Sequence, residues 1–304
     1  MNSILLIDKP YSYSSFQVTT FIKNILSVKK VGHGGTLDPL AVGMLPICIG
    51  ESRKFASFIL ESEKHYTIEA RLGLTTTTGD LEGEVVSETN NICTSQEDIE
   101  KQMSSMIGLI SQKPPAYSAL KYEGRPLYEY ARQNIDVPRP ERAVNIIKFK
   151  LLSWDSPILR CEVQCGKGTY IRTLLEMLGE QLGVGGATLT YLRRDWVAPF
   201  QASDMLTLEE LYHFNKFSDF TNIPGNMDLS YLFQKFHRVD LSVDEARSLA
   251  YGQEVKLNKD VDRSDHHAFY YNEVFFGIGF INADNIIKVK RLRQSLVQDL
   301  CSVT

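Results

Sequence analysis

The residue with the most chemical promise is Asp38, set between Leu37 and Pro39 in the run Gly32-His33-Gly34-Gly35-Thr36-Leu37-Asp38-Pro39. An Asp before Pro commonly closes a turn through its own side chain. Two other patches compete with that reading. Gly166-Lys167-Gly168-Thr169-Tyr170-Ile171-Arg172 follows a predicted strand and offers an arginine able to pair with a partly buried carboxylate. Lys64-His65-Tyr66 sets a cation, an imidazole and an aromatic ring side by side. One carboxylate, one guanidinium and two tyrosines suit covalent or acid–base work on an extruded base with a ring stacked on it. The same groups would also build a sugar or nucleotide pocket, and residue chemistry alone leaves that open.

Other chemistries find no motif. Gly166-Lys167-Gly168 lacks the spacing of a phosphate-binding P-loop, and no GxGxxG follows the first strand. HExxH and GxSxG are absent. The histidines are scattered, and the adjacent His266-His267 would point apart in a strand, so no metal site is expected. Five cysteines without a CxxC pair argue for a reducing compartment and against a disulfide framework. Cys161 and Cys165 read as small core residues on one strand face.

The elements that must position these residues follow from periodicity. Residues 4–7 read as a buried strand, and Phe16, Val18, Ile22, Ile25 and Leu26 recur at helical spacing. Residues 31–50 hold five glycines and two prolines, which predicts a long shaped loop with a short strand at its end. Tyr66–Leu72 alternates as a strand does, and Thr75–Asp80 reads as a polar turn. Ser95 with Asp98 predicts a capping box. Residues 113–121 are extended and proline-stiffened, and strands are expected near 145–153 and 159–165. The helix through Leu174, Leu175, Leu178 and Leu182 starts beside Thr169, its predicted cap. Arg172 could cap the helix that follows it, but an arginine in a helix's first turn opposes the dipole, which makes a separate carboxylate partner the more attractive reading.

Texture changes beyond residue 200. Residues 213–236 are weakly periodic and read as a linking segment closing a 1–236 unit. A second, small domain is expected over 237–304, with Ser242 and Glu245 capping a helix that ends at Gly252 and strands near 267–275 and 277–289. Residues 1–200 carry 22 basic and 22 acidic side chains; the other 104 carry 11 and 15, which is the whole net charge of −4. Composition therefore gives no positive support for a nucleic-acid substrate, although a folded chain can still gather its cations on one face. With no run of 18 apolar residues and no leader pattern, the expectation is no membrane contact and a cytoplasmic location. No apolar helix face asks for a partner, so a monomer is expected.

The segment VGHGGTLDPLAVGMLPICIGESRKF (31–55) resembles the signature of the bacterial tRNA pseudouridine-55 synthase family, which includes the guide-RNA-dependent enzymes of eukaryotes and archaea. LLIDKP near the start, KHYTIEARLG at 64–73, PPAYSALKYEGRPLYEYAR at 114–132, GKGTYIRTL at 166–174 and YLRRD at 191–195 follow in the family's order. Together they span the first 200 residues. The resemblance implies an α+β fold: a mixed, mostly antiparallel β-sheet with flanking helices and a central cleft, plus a small β-rich, PUA-like RNA-binding domain at the C-terminus.

By the same resemblance Asp38 is the catalytic aspartate, Tyr66 stacks on the flipped uracil, Arg172 holds Asp38 ionised and Tyr170 lines the pocket. His33 would touch the RNA beside the flipped nucleotide. Lys9 and Pro10 match the early KP element, and Lys9, Lys64, Arg193 and Arg194 would be phosphate or structural contacts to the tRNA T-arm. Isomerisation of uridine gains and loses no atoms, so neither cofactor nor metal is expected. The chain departs from the family at Thr77, commonly acidic, at Thr188, often His, and at Asp195, usually Thr. The rival expectations are modification of uridines elsewhere in RNA, a non-catalytic tRNA chaperone and, more remotely, a nucleotide hydrolase.

Overall fold

A computed structural model describes residues 2–217, 223–258 and 266–302. The chain opens with β1 (Ser3–Lys9), α1 (Ser15–Ile25), β2 (Val31–His33), β3 (Val42–Ile49) and α2 (Ala56–Glu61). β4 (Lys64–Leu72) leads into a hairpin of β5 (Leu74–Thr76) and β6 (Val85–Glu88). Next come α3 (Gln96–Ser105), β7 (Gly108–Gln112), the small hairpin β8 (Lys121–Tyr122) and β9 (Arg125–Pro126), and α4 (Leu127–Ala131). β10 (Arg142–Asp155), β11 (Ile158–Cys165), α5 (Ile171–Gln181), β12 (Ala187–Val197), α6 (Leu208–Phe217) and β13 (Asn226–Asp228) follow. The C-terminal part holds β14 (His237–Asp240), α7 (Val243–Ala250), β15 (His267–Tyr271), β16 (Val274–Ile281), β17 (Ile287–Leu292) and α8 (Gln294–Ser302).

Among the described residues nine strands form one sheet in the order β13-β1-β3-β12-β4-β11-β10-β7, with β2 on β3. Its pairings are antiparallel except β3 with β12. This is the mixed, mostly antiparallel sheet with flanking helices that the resemblance implies. Strand alternation sorts its residues into two cores. Leu5 and Ile7 of β1 face a cluster completed by Val18 and Ile22 of α1, Ile99 and Met103 of α3, and Leu174, Leu175 and Leu178 of α5. Ile4 and Leu6 face the other way, into a cluster with Phe55, Phe200 and Phe233. Ala268, Phe275 and Ile278 join that second cluster from the separate sheet β14-β15-β16-β17, so the C-terminal unit is packed, with Ile59 of α2, on the face opposite α1, α3 and α5. Phe233 and Phe275 stack there at 5.0 Å between centroids.

The parallel β3–β12 contact matters most for the site. Gly43 lies opposite Arg194 with φ +97, and a Cβ there would fall 2.3 Å from the Arg194 carbonyl oxygen. Only glycine allows that approach without strain. Gly43→Ala is expected to cost about 2–3 kcal/mol, seen as a lower urea midpoint; an unchanged midpoint would mean that β3 and β12 can part freely.

Several expectations need correction. The 31–50 region is less loop than predicted: β3 takes eight residues of it, because its apolar stretch is buried on both faces. Phe16 does not join the apolar face of α1; two residues before Val18 it sits about 200° around the helix. Thr75 and Thr76 pair in β5 rather than in a turn. Of the expected linking segment 213–236, residues 218–222 lie outside the described residues; residues 223–236 are more structured than a linker, since β13 pairs with β1 and Leu229, Leu232 and Phe233 are buried. The two strands expected over 267–289 are three, and turns fall at Asn272-Glu273 and Asn285, all with positive φ. The helices capped by Ser95 and Ser242 form as predicted, each with a capping box. Thr169 does not cap α5; its hydroxyl donates to the Gly166 carbonyl, and Tyr170 occupies the cap position.

Candidate active site

Asp38 sits on the crossing between β2 and β3, fixed from both sides. Leu37 is buried, its N–H donates to the Ser15 hydroxyl (2.9 Å), and that hydroxyl donates to the Leu37 carbonyl (3.0 Å). The Pro39 carbonyl accepts from the Ser12 N–H and from the Lys9 ammonium. Gly34 presses against Ile59, where a Cβ would come within 2.5 Å of a side-chain carbon. The carboxylate itself is left partly exposed, at 42%.

Arg172 has the carboxylate partner that its place in a helix's first turn favoured. Its Nη2 lies 3.0 Å from Asp38 Oδ2, and its Nη1 lies 3.4 Å from Asp80 Oδ2. The same two nitrogens donate to the carbonyls of Tyr117 (2.8 Å) and Thr78 (2.9 Å). A buried guanidinium is thus spread over four acceptors, which a lysine could not match. Asp80 is buried and accepts from the Thr78 hydroxyl and the Glu82 N–H.

Tyr66 lies in the floor. β4 buries every second residue, so Lys64 and Tyr66 share one face while His65 points to the other. Burial, the largest cause, pushes the Tyr66 phenol up to about 12, despite the Arg194 guanidinium that reaches its hydroxyl. The phenol is therefore neutral at physiological pH. Tyr170 forms the opposite wall: its backbone is clasped by the Gln112 amide at 2.8 and 3.0 Å, and Arg142 lies over its ring at 5.1 Å. Asp38, Tyr66, Tyr170 and Arg172 meet around one cleft of about 510 Å³, with Gly35, Leu60, Ser118 and Leu192 completing it.

The remaining predicted residues divide. The Lys9 ammonium is fully buried beneath the Asp38 loop, held by the carbonyls of Pro10, Tyr13 and Pro39. The Lys64 ammonium is buried against the carbonyls of Ile59, Leu60 and Ser62. Arg194, also buried, donates to the carbonyls of Met44, Thr36 and Gly35. Of the phosphate or structural role expected of these three, the structure shows the structural one: their buried donors bond main-chain carbonyls, and Arg194 also reaches the Tyr66 hydroxyl, so they frame the site. Arg193 leaves β12 on the other face and pairs with Asp8 through both carboxylate oxygens, at 2.8 and 3.1 Å. His33 stands outside the cleft lining, its Nδ1 accepting from the Gly35 N–H. Burial and then the Arg194 charge push its imidazole below the ordinary value, so the ring is neutral at pH 7.

Burial pushes the Lys9 ammonium down to about 8, with Asp38 opposing and Arg194 adding to the effect. The folded state then binds fewer protons than the unfolded chain between about pH 8 and 10.5. Stability must rise with pH across that window and be lost as pH falls through 8. Lys9→Met abolishes that slope, so wild type should gain urea midpoint relative to the variant between pH 7.5 and 10. A constant difference would contradict it.

Sequence reasoning missed Asp80, Gln112 and Arg142. Asp80 ends the Thr-rich run read as a polar turn, and nothing in that run marks it as a partner of Arg172. The departures from the family pattern are absorbed locally. Thr188 is buried and donates to the Leu74 carbonyl. Asp195 accepts from the Thr67 hydroxyl and lies 2.9 Å from His65 Nδ1.

The TruB family pseudouridylate synthase N-terminal domain matches residues 23–171, and the C-terminal domain of pseudouridine synthase II TruB matches 238–292. The tRNA pseudouridine synthase B of Mannheimia succiniciproducens is 39% identical over 294 residues, covering 96% of each chain. That of Photorhabdus laumondii is 40% identical over 302 residues, covering 96% of this chain and 95% of its own. Among solved structures, a Cbf5-Nop10-Gar1 complex aligns at TM-score 0.74 and 22% identity over 97% of this chain and 86% of that one. An H/ACA RNP bound to a substrate RNA containing 2'-deoxyuridine aligns at TM-score 0.72 and 20% identity, over 95% and 84%. Both likenesses are of fold. With an arginine-bridged aspartate over a tyrosine floor, and relatives alike over nearly their whole length, the chain belongs to the TruB family of tRNA pseudouridine synthases.

Proposed function

We propose that this protein converts the uridine at position 55, in the T-loop of tRNA, to pseudouridine, with Asp38 as the catalytic carboxylate. The observation that carries the reading is the Asp38–Arg172 pair, 3.0 Å apart, at the rim of a cleft whose floor is the Tyr66 ring. In the reaction the C1′–N1 bond breaks and a C1′–C5 bond forms. N1 takes up a proton and C5 gives one up, so the balance closes without any other reactant. Asp38 carries the negative charge that the opening step needs, Arg172 keeps it aimed, and Tyr66 presents a neutral ring for the extruded uracil. Tyr170 bounds the base on the other side, and the neutral His33 ring, outside the cleft lining, would touch the RNA beside the flipped nucleotide.

Extruding a nucleotide costs a few kcal/mol, least where the RNA is already irregular. That favours a loop over a duplex. The HGGTLDP form of the Asp38 loop resembles the T-loop branch of the family, and the similar bacterial proteins named above are tRNA enzymes. The test is to map pseudouridine in a full-length tRNA transcript by nuclease digestion and mass spectrometry after labelling. Conversion confined to the T-loop position is the expected outcome; conversion in the anticodon arm instead would reassign the target.

A further inference from the structure

Tyr11, Tyr13 and Phe16 stand out into solvent just after β1, at 61%, 42% and 76% exposure. Among the described residues no ring stacks on these three and no cation lies over them. A buried apolar face does not explain Phe16, since the core side of α1 is Val18 and Ile22. Three uncovered aromatic rings within six residues are unusual for a surface that meets only water.

The turn that displays them is rigid, and it is tied to Asp38. Ser12 takes a left-handed φ of 68, and its N–H donates to the Pro39 carbonyl at 3.0 Å. The Lys9 ammonium bridges the carbonyls of Tyr13 (2.6 Å) and Pro39 (3.2 Å). The buried Ser15 hydroxyl bonds both backbone groups of Leu37. Leu37 and Pro39 are the two neighbours of Asp38, so both flanks of the reacting carboxylate are bonded to the segment that carries the rings. Each ring lies within one or two residues of an anchor.

Charge identifies the kind of partner. From Lys9 to Leu37 the chain contains no Asp or Glu, although the protein as a whole is acidic. Lys23, Lys29 and Lys30 on the same stretch are exposed. An acid-free stretch that exposes both aromatic rings and lysines matches a nucleic-acid strand: the rings take the faces of unstacked bases, and the lysines meet phosphates. Beside a carboxylate that acts on a base, continuity with the site makes that strand the RNA substrate.

We infer that Tyr11, Tyr13 and Phe16 form a stacking platform for loop nucleotides next to the target uridine, acting as positioning residues for the reaction. The inference rests on the proposed T-loop activity. Ring stacking is blind to base identity, so the platform holds the unwound strand in place while Asp38 and Tyr66 take the target.

The test compares wild type with Tyr11→Ala, Tyr13→Ala, Phe16→Ala and the triple variant, on a T-arm stem–loop and on one with abasic sites flanking the target. Tyr13→Phe and Phe16→Trp preserve the rings. Dissociation constants are measured in an Asp38→Asn background, KM and kcat in the active protein, and melting temperature in every variant. The triple variant should bind the normal stem–loop more weakly by about tenfold or more, raise KM alike, and keep kcat and melting temperature. Ring-preserving variants should match wild type. On the abasic stem–loop, wild type and the triple variant should bind equally. An unchanged dissociation constant in the triple variant overturns the platform and leaves these rings to a protein partner. A loss of the same size on the abasic stem–loop overturns it too. Failure of wild type to convert a stem–loop that it binds would sink the T-loop reading, while the dissociation constants still decide the platform.

Discussion

Asp38→Asn should bind T-arm RNA as wild type does and convert at least about 10³-fold less of it. The substitution keeps the side-chain volume and removes only the charge. Because the Asp38 carboxylate is partly exposed, losing its pairing should change stability by no more than about 1 kcal/mol. Arg172 still has Asp80 and the carbonyls of Thr78 and Tyr117 to hold it in place. The floor formed by Tyr66 is untouched. Single-turnover conversion and filter binding on the same preparation check this. Full conversion by the variant would remove Asp38 from the chemistry; lost binding would make it an RNA contact.

Arg172→Met is expected to be worse in a different way. It leaves Asp80 buried with its charge unpaired, and removal of one partner from such a pair costs about 3–5 kcal/mol. It also strips two backbone carbonyls of their donor and frees the Asp38 carboxylate to swing. The variant should melt well below wild type and show no measurable conversion. Asp80→Asn added to Arg172→Met removes the uncompensated charge, so the double variant should recover much of the lost urea midpoint while staying inactive. Recovery of activity along with stability would show that Arg172 serves the fold alone. A double variant no more stable than Arg172→Met would instead show that the Asp80 charge is not what makes the loss so large.

How far this was legible in the sequence depends on the kind of interaction. Side-chain patterning was readable: the alternation over Tyr66–Leu72 became β4 with every second residue buried, and the leucines after Arg172 became the inner face of α5. The mismatch of Arg172 with a helix N-terminus favoured a carboxylate partner over a capping role, and Asp38 is one such partner. That there are two carboxylates was not readable, since Asp80 reaches Arg172 through a turn that bends only once β4 and β5 are in place. The fates of Lys9, Lys64 and Arg194 were hidden for a more general reason. Their partners are main-chain carbonyls, and every residue has one, so no sequence pattern marks where three of them converge. Phe16 was misplaced because its apolar character grouped it with Val18 and Ile22, although two residues before Val18 it falls on the opposite side of the helix.

The most direct test of the central claim is tritium release from a T-arm stem–loop labelled at uracil C5, with a second stem–loop bearing cytidine at the target position as control. The account predicts release approaching one tritium for each target uridine, and none from that position in the control. Tight binding of the stem–loop without any release would contradict it.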